Sequence, residues 1–199
     1  MGIKKSISTK GLEPVAKLIP FSPNTITFFS LLLALIAAYF IFNSNVVYGA
    51  AFSFLALALD GIDGIVARAK KQATKFGAYM DGISDRIVEF FILVSMANLA
   101  WPNPALALYS ILFIIAFGTF LTSFAKAYAD HRGAVDRKSL DKMQCLFERT
   151  ERTFFIFVAL LLYLLSPLYS MYLLTFCALL SVIAFLQRFI FVMNYSKRR

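Results

Sequence analysis

Apolar runs of roughly twenty residues, repeated along the 199-residue chain, constrain this protein more than any other feature. A helix of that length matches the hydrocarbon thickness of a bilayer, and backbone inside lipid must satisfy its own hydrogen bonds. Soluble domains average about 45–50% apolar and about 25% charged residues; this chain is 60% apolar and 16% charged. The expected fold class is an all-α integral membrane protein, a single domain over residues 1–199. Six transmembrane helices are predicted. The first five fall near 24–42, 46–69, 76–101, 105–129 and 149–165; the sixth follows a break at Pro167 and ends near Met193. Pro23 suits the first turn of the first helix. The first apolar run has no small-residue cleavage site and leads into further spans, so no cleaved leader is expected. Residues 1–20 place Ile7, Leu12, Val15, Leu18 and Ile19 against Lys4, Lys5, Lys10 and Lys17, the pattern of an interfacial helix on anionic lipid. Residues 21–199 form the six-span bundle.

Charge sets the expected orientation. The connectors "NSNV", "WPNPA" and "SPLYSM" carry none. Nearly all Lys and Arg fall in the N-terminal segment, the loop after Arg68, the stretch from Lys126 to Arg152, and the C-terminal "SKRR". The positive-inside rule places both termini and these loops in the cytoplasm, in a multi-pass protein of the cell membrane. The net charge of +9 is accounted for by an anionic membrane surface, and no nucleic acid is called for.

Against this background, "DGIDGIVARAKKQATKFGAYMDGISD" at 60–85 is anomalous. Asp60 and Asp63 are three residues apart near the end of the second predicted helix. Asp81 and Asp85 are four apart near the start of the third. Either spacing puts a pair on one helix face, and a short loop makes the helices neighbours, so four carboxylates converge. Buried and unpaired they would protonate or repel, and Arg68 and Arg86 are too few to neutralise them. Divalent cations meet the need; an all-oxygen set without His or Cys suits Mg2+, Mn2+ or Ca2+ rather than Zn2+. Gly61, Gly64, Gly77 and Gly82 allow backbone or ligand to approach closely. A lipid diphosphate, bridged by metal, is the natural ligand for such a site.

The stretch resembles the signature of the CDP-alcohol phosphotransferases, D-x2-D-G-x2-A-R-x8-G-x3-D-x3-D, filled here by Asp60, Asp63, Gly64, Ala67, Arg68, Gly77, Asp81 and Asp85. "SPNTIT" at 22–27 is similar to the family's approach to its first span. The resemblance implies transfer of a lipid phosphatidyl-type group from a CDP-linked lipid, built on diacylglycerol or archaeol, to a small polar alcohol, with release of CMP. It implies Asp60, Asp63, Asp81 and Asp85 as ligands of Mg2+ or Mn2+, as a pair of ions, with Asp85 also the general base. It implies Gly64, Ala67, Arg68, Gly77, Asn24 and Thr27 around the nucleotide, and a homodimer. "SFAKAYADHRG" resembles an S-Y-x-K-A-R-A-E stretch of inositol-phosphate and glycerol-phosphate users, departing at Phe124 and Tyr128. "ERTER" and "FLQRF" resemble stretches of phosphatidylinositol phosphate synthases and their archaeal counterparts. Lys126, Arg149, Arg152 and Arg188 are therefore expected to bind a phosphate on the acceptor, with L-myo-inositol 1-phosphate preferred and glycerol 3-phosphate second.

Competing readings exist. Intramembrane acids also mark cation pathways and proton relays, although transport does not require this glycine and arginine spacing. Membrane prenyltransferases also hold diphosphates with Asp-rich helices. The four cations could meet lipid headgroups instead of substrate. His131 is expected to be solvated, Cys145 and Cys177 suggest neither disulfide nor metal, and the 22 phenylalanines are packing and lipid-facing residues.

Overall fold

A computed structural model describes residues 18–70, 72, 74–140 and 142–196; apart from Leu18 to Pro20, the expected interfacial helix lies outside them. Six long helices occur among the described residues: α1 Pro23–Phe42, α2 Val46–Ala69, α3 Lys75–Ala97, α4 Pro104–His131, α5 Arg149–Leu165 and α6 Pro167–Ser196. The chain forms two compact units, Met1–Ile92 and Leu93–Arg199. Helices α1, α2, α4 and α6 are long and apolar enough to cross a membrane. The other two do not qualify on those grounds. Asp81, Asp85, Arg86 and Glu89 interrupt α3, while α5 has 17 residues and opens on Arg149, Glu151 and Arg152. The third helix also stops at Ala97, short of Trp101, whose indole N–H donates to the Met96 carbonyl at 2.9 Å.

In the first unit, α1 begins where the Ser22 hydroxyl accepts from the Thr25 N–H (3.2 Å) and Pro23 occupies the first turn. Lipid gives helices little hydrophobic reason to associate, so close contact between small residues takes over. Accordingly α1 buries Ser30, Ala34, Ala37 and Ala38, and α2 buries Ala50, Ser53 and Ala56. The Ser30 hydroxyl donates across to the Ala56 carbonyl at 3.1 Å. At the hairpin, a Cβ on Gly49 would collide with Ile41 Cγ1, so that position must stay bare.

In the second unit, hydroxyls join the helices: Ser110 pairs with Thr175 at 3.0 Å and Ser170 donates to the Ala159 carbonyl at 2.7 Å. Helix α4 contains a π-helical stretch, Ile114–Leu121, which no feature of the sequence announced. Its offset pattern is accompanied by side-chain donors on nearby carbonyls. Thr122 Oγ1 donates to Gly118, Ser123 Oγ to Thr119 at 2.9 Å, and Arg188 Nη1 to Thr122 at 2.6 Å. Gly118 sits where a Cβ would be 2.8 Å from both Arg152 Cδ and Ser181 Oγ. Beyond α4, Val135, Leu140 and Met143 pack with Ala129 against Phe191, Val192 and Tyr195. The Tyr195 hydroxyl and the Ser139 N–H both donate to Asp136, holding its carboxyl at about 2.

Gly118→Ala should destabilise the protein by roughly 1–3 kcal/mol, as overpacking does. Gly61→Ala, with nothing within 4 Å of its Cβ, should be neutral or stabilising; thermal melts of the two variants check the contrast. Because the folded Asp136 carboxyl titrates below its usual 3.8, its pairing contributes fully above that pH and is lost as pH falls through about 2. The melting-temperature gap between the unmodified protein and Tyr195→Phe should therefore be widest above pH 3.8 and narrow on acidification toward 2.

Candidate active site

The first unit gathers the sequence's acids. Asp60 precedes the end of α2 at Ala69 by nine residues, and Asp81 and Asp85 follow the start of α3 at Lys75 by six and ten. At about 1.5 Å per residue these are comparable depths on two helices joined by a five-residue connection. Asp60, Asp81 and Asp85 each offer a carboxylate oxygen, and the three oxygens lie within 4.8 Å of one another. Asp85 is 4% exposed, and the other two are half-buried. Asp63 lies on α2 one turn after Asp60; its side chain is outside the described residues. Two like charges about 4 Å apart cost about 1 kcal/mol in water and several times more in less polar surroundings. Such a cluster needs protons or cations. Hard oxygen donors at this spacing fit Mg2+, Mn2+ or Ca2+.

Beside the acids is an open cavity of about 180 Å3. Helix α1 supplies Pro23, Asn24 and Thr27, α2 supplies Gly64, Ala67 and Arg68, and α3 supplies Gly77, Ala78 and Asp81, with Gln72 and Thr74 from the connection. Asp81 thus belongs both to the cluster and to the cavity wall. A Cβ on Gly77 would be 3.1 Å from Thr74 Oγ1 and 3.5 Å from Asn24 Oδ1, and one on Gly64 would be 3.4 Å from Arg68 Nη1. The two glycines keep the space open. Sequence reasoning named Asn24, Thr27, Gly64, Ala67, Arg68 and Gly77, and the structure collects all six here. It missed Pro23, Gln72, Thr74 and Ala78. Thr74 carried a signal: a threonine just ahead of a helix caps it, and its hydroxyl accepts from the Gly77 N–H at 2.9 Å. Arg86 donates to the Gly82 carbonyl.

The cations of the second unit have unlike surroundings. Arg188 is 13% exposed; it donates to the Thr122 carbonyl and lies 3.8 Å from the half-exposed Glu148 carboxylate, and its Nε is buried without a partner. Lys126 is one turn beyond Thr122 on the same face of α4 and is half-buried. Arg149 begins α5 and is half-buried. Arg152 is 3% exposed, against Gly118. The departures at Phe124 and Tyr128 form a separate exposed stripe, rings stacked at 5.1 Å, with Arg132 over Tyr128. That stripe is on the side of α4 away from Thr122 and Lys126. Cys145 and Cys177 are free thiols.

An α-helical membrane protein whose carboxylate cluster shares a wall with a glycine-lined cavity is the class that fold and site define. The CDP-alcohol phosphatidyltransferase family model matches residues 21–190, and the chain belongs to that family. It is 32% identical over 143 residues to a bifunctional IPC transferase and DIPP synthase of Aquifex aeolicus, covering 69% of this chain and 32% of that protein. It is 29% identical over 167 residues to the archaetidylinositol phosphate synthase of Pyrococcus horikoshii, covering 84% of this chain and 81% of the relative. The chain therefore spans about a third of the bifunctional relative and most of the archaeal one. The fold is that of phosphatidylinositol phosphate synthase from Mycobacterium tuberculosis. The TM-score is 0.76 to its complex with manganese and citrate, at 20% identity, covering 94% of this chain and 89% of that one. It is 0.74 to its form with CDP-DAG bound, also at 20% identity, covering 94% and 92%.

Mg2+ or Mn2+ should raise the melting temperature of the purified protein; a ligand at about 100 times its Kd adds about 2.7 kcal/mol. Asp60→Asn and Asp81→Asn should lose most of that increment while melting, without added metal, at or above the unmodified protein.

Proposed function

We propose that the protein transfers the phosphatidyl-type group of a CDP-linked lipid to the hydroxyl of a phosphorylated polar alcohol. The observation that carries this reading is Asp81, common to the carboxylate cluster and the cavity wall: a nucleotide in the cavity would present its diphosphate to the acids. Asn24, Thr27, Gly64, Ala67, Arg68 and Gly77 would enclose the nucleotide. Asp60, Asp63, Asp81 and Asp85 would hold one or two divalent ions, whose charge, when bound, offsets that of the diphosphate and of the leaving CMP. The amides at the start of α3 add positive potential beside the cavity. The acceptor oxygen attacks the phosphorus bearing the lipid, the bond to the CMP phosphate breaks, and Asp85 takes the hydroxyl proton. Its burial keeps water from competing for that proton.

The acceptor is read as L-myo-inositol 1-phosphate. An archaetidylinositol phosphate synthase similar in sequence and a phosphatidylinositol phosphate synthase similar in fold support it. So does Arg188, whose buried Nε has a hydrogen bond still to donate. Lys126 and Arg149 would assist. Arg152, the most buried of the four, would contribute charge from within the helix packing. The lipid is diacyl or archaeol-type. The membrane orientation that fits is both termini and the active site on the cytoplasmic side of the cell membrane, in a protein that assembles as a homodimer.

Turnover by the purified protein tests the reading: CMP release from CDP-lipid with Mg2+ and a panel of inositol phosphate, glycerol 3-phosphate, inositol and serine. Inositol phosphate should be the best acceptor and chelation should stop the reaction. Asp85→Asn should lower kcat far more than nucleotide affinity. Arg188→Gln should raise KM for the phosphorylated acceptor roughly ten- to a hundredfold, the scale of one lost charged hydrogen bond, with the KM for CDP-lipid nearly unchanged. Free inositol preferred by the unmodified protein would reject the acceptor assignment and leave the phosphotransferase reading standing. Ion flux in liposomes without CMP release would favour transport.

A further inference from the structure

Lys70 follows the last residue of α2 and occupies one of the unspecified positions of the aspartate signature, which places no demand on it. Its backbone N–H closes the helix on the Val66 carbonyl at 2.9 Å. Its ammonium turns back to the segment ahead of α1, donating to the Ile19 carbonyl at 2.6 Å and the Phe21 carbonyl at 2.9 Å. These partners are 51 and 49 residues away in the chain. A cation at a helix C-terminus also opposes the negative end of the helix dipole, which keeps the ammonium there. The Ile19 side chain is held as well, packed against the buried pair Ile26 and Val66.

We infer that Lys70 is a positioning residue for the cavity, fixing the segment that delivers Asn24 and Thr27 to their places opposite Gly64 and Gly77. The connection is short and stiff. Pro20 lies between the two carbonyls that Lys70 holds, and Pro23 follows Phe21 by two residues. Each proline locks its own φ and restricts the residue before it. A shift at residues 19–21 is thus passed on to the first turn of α1 rather than absorbed. That turn carries Asn24, whose Oδ1 would be 3.5 Å from a Cβ on Gly77, and Thr27, whose hydroxyl donates to the Pro23 carbonyl at 3.1 Å. Lys70 itself is absent from the cavity lining, so its action is through the wall. The neighbouring connection is tied to the same helix end, since the Gln72 N–H donates to the Ala67 carbonyl at 2.9 Å. One ammonium therefore holds the far wall of the cavity to the helix end that forms its near wall. The inference rests on the reading of the cavity as the nucleotide site, and it assigns Lys70 to affinity for the nucleotide half of the donor, not to the acceptor or the chemical step.

The test compares Lys70→Met, Lys70→Gln and Lys70→Arg in the full-length purified protein. It reads amide hydrogen exchange over residues 21–27, CDP affinity with Mg2+ by calorimetry, and the separate KM values for CDP-lipid and acceptor. Lys70→Met should speed exchange at the start of α1 and weaken CDP about tenfold, the scale of one lost charged hydrogen-bonded tie. The KM for the acceptor should not move. Lys70→Gln, able to donate to one carbonyl, should fall between. Lys70→Arg, whose fork can reach two carbonyls, should restore both exchange and affinity. Unchanged exchange in Lys70→Met and Lys70→Gln would overturn the tether. Faster exchange with unchanged CDP affinity would overturn its role in the cavity, as would an equal rise in both KM values. Failure of the unmodified protein to bind CDP would instead reject the nucleotide reading, with exchange still deciding the tether.

Discussion

Three carboxylates held within 4.8 Å of one another inside a predominantly apolar chain are the constraint around which the first unit is arranged. Bringing like charges together in poor solvent is unfavourable, so the backbone that holds them must be firm for independent reasons. Small residues supply that firmness. Ser30, Ala34, Ala37 and Ala38 are buried on α1, Ala50, Ser53 and Ala56 on α2, the Ser30 hydroxyl bonds the Ala56 carbonyl, and Gly49 leaves room for Ile41. The packed pair provides one wall, the five-residue connection after α2 returns the chain, and α3 brings Asp81 and Asp85 to Asp60. The helix propensity given up at Gly64 and Gly77, about 1 kcal/mol each, is the structural side of the same design, because it leaves the cavity open beside the acids.

The second unit handles charge differently. Its cations are embedded in helix packing with separate partners: Arg152 against bare Gly118, and Arg188 against the Thr122 carbonyl and Glu148. The π-helical stretch in α4 underlies this arrangement. Short π segments often occur at functional positions, and here the carbonyls around it are met by Thr122, Ser123 and Arg188. A guanidinium with two of its nitrogens engaged and Nε unpartnered is fixed in direction yet retains a donor. Glu148 stands near it, half-exposed.

Much of this was legible in advance. Six helices appear where apolar runs and prolines placed them, within a few residues, because hydropathy over twenty residues averages out local ambiguity. The convergence of Asp60, Asp81 and Asp85 was legible because an i,i+4 pair shares one helix face and a short connection makes the two helices neighbours. The cavity residues Asn24, Thr27, Gly64, Ala67, Arg68 and Gly77 were named from a resemblance and are found around one space. Gln72 was not, since neither residue type nor spacing marks a loop that happens to fold over a cavity, and Ala78 was not, since an alanine on a helix carries no sign of what it faces.

By itself the sequence determined the solvent, the helical class and the helix faces that carry acid, because composition and periodicity answer to lipid and to 3.6 residues per turn whatever the fold. Only tertiary structure decided which groups meet. The ammonium of Lys70 reaching carbonyls about fifty residues away is a contact between distant segments, and local pattern does not encode it. The same holds for the guanidinium of Arg188 on a carbonyl of α4, and for the Tyr195 hydroxyl on Asp136. The sequence also presented Lys126, Arg149, Arg152 and Arg188 as one set of cations. Packing distinguished them, because the burial of a charge is set by neighbours that lie far off along the chain.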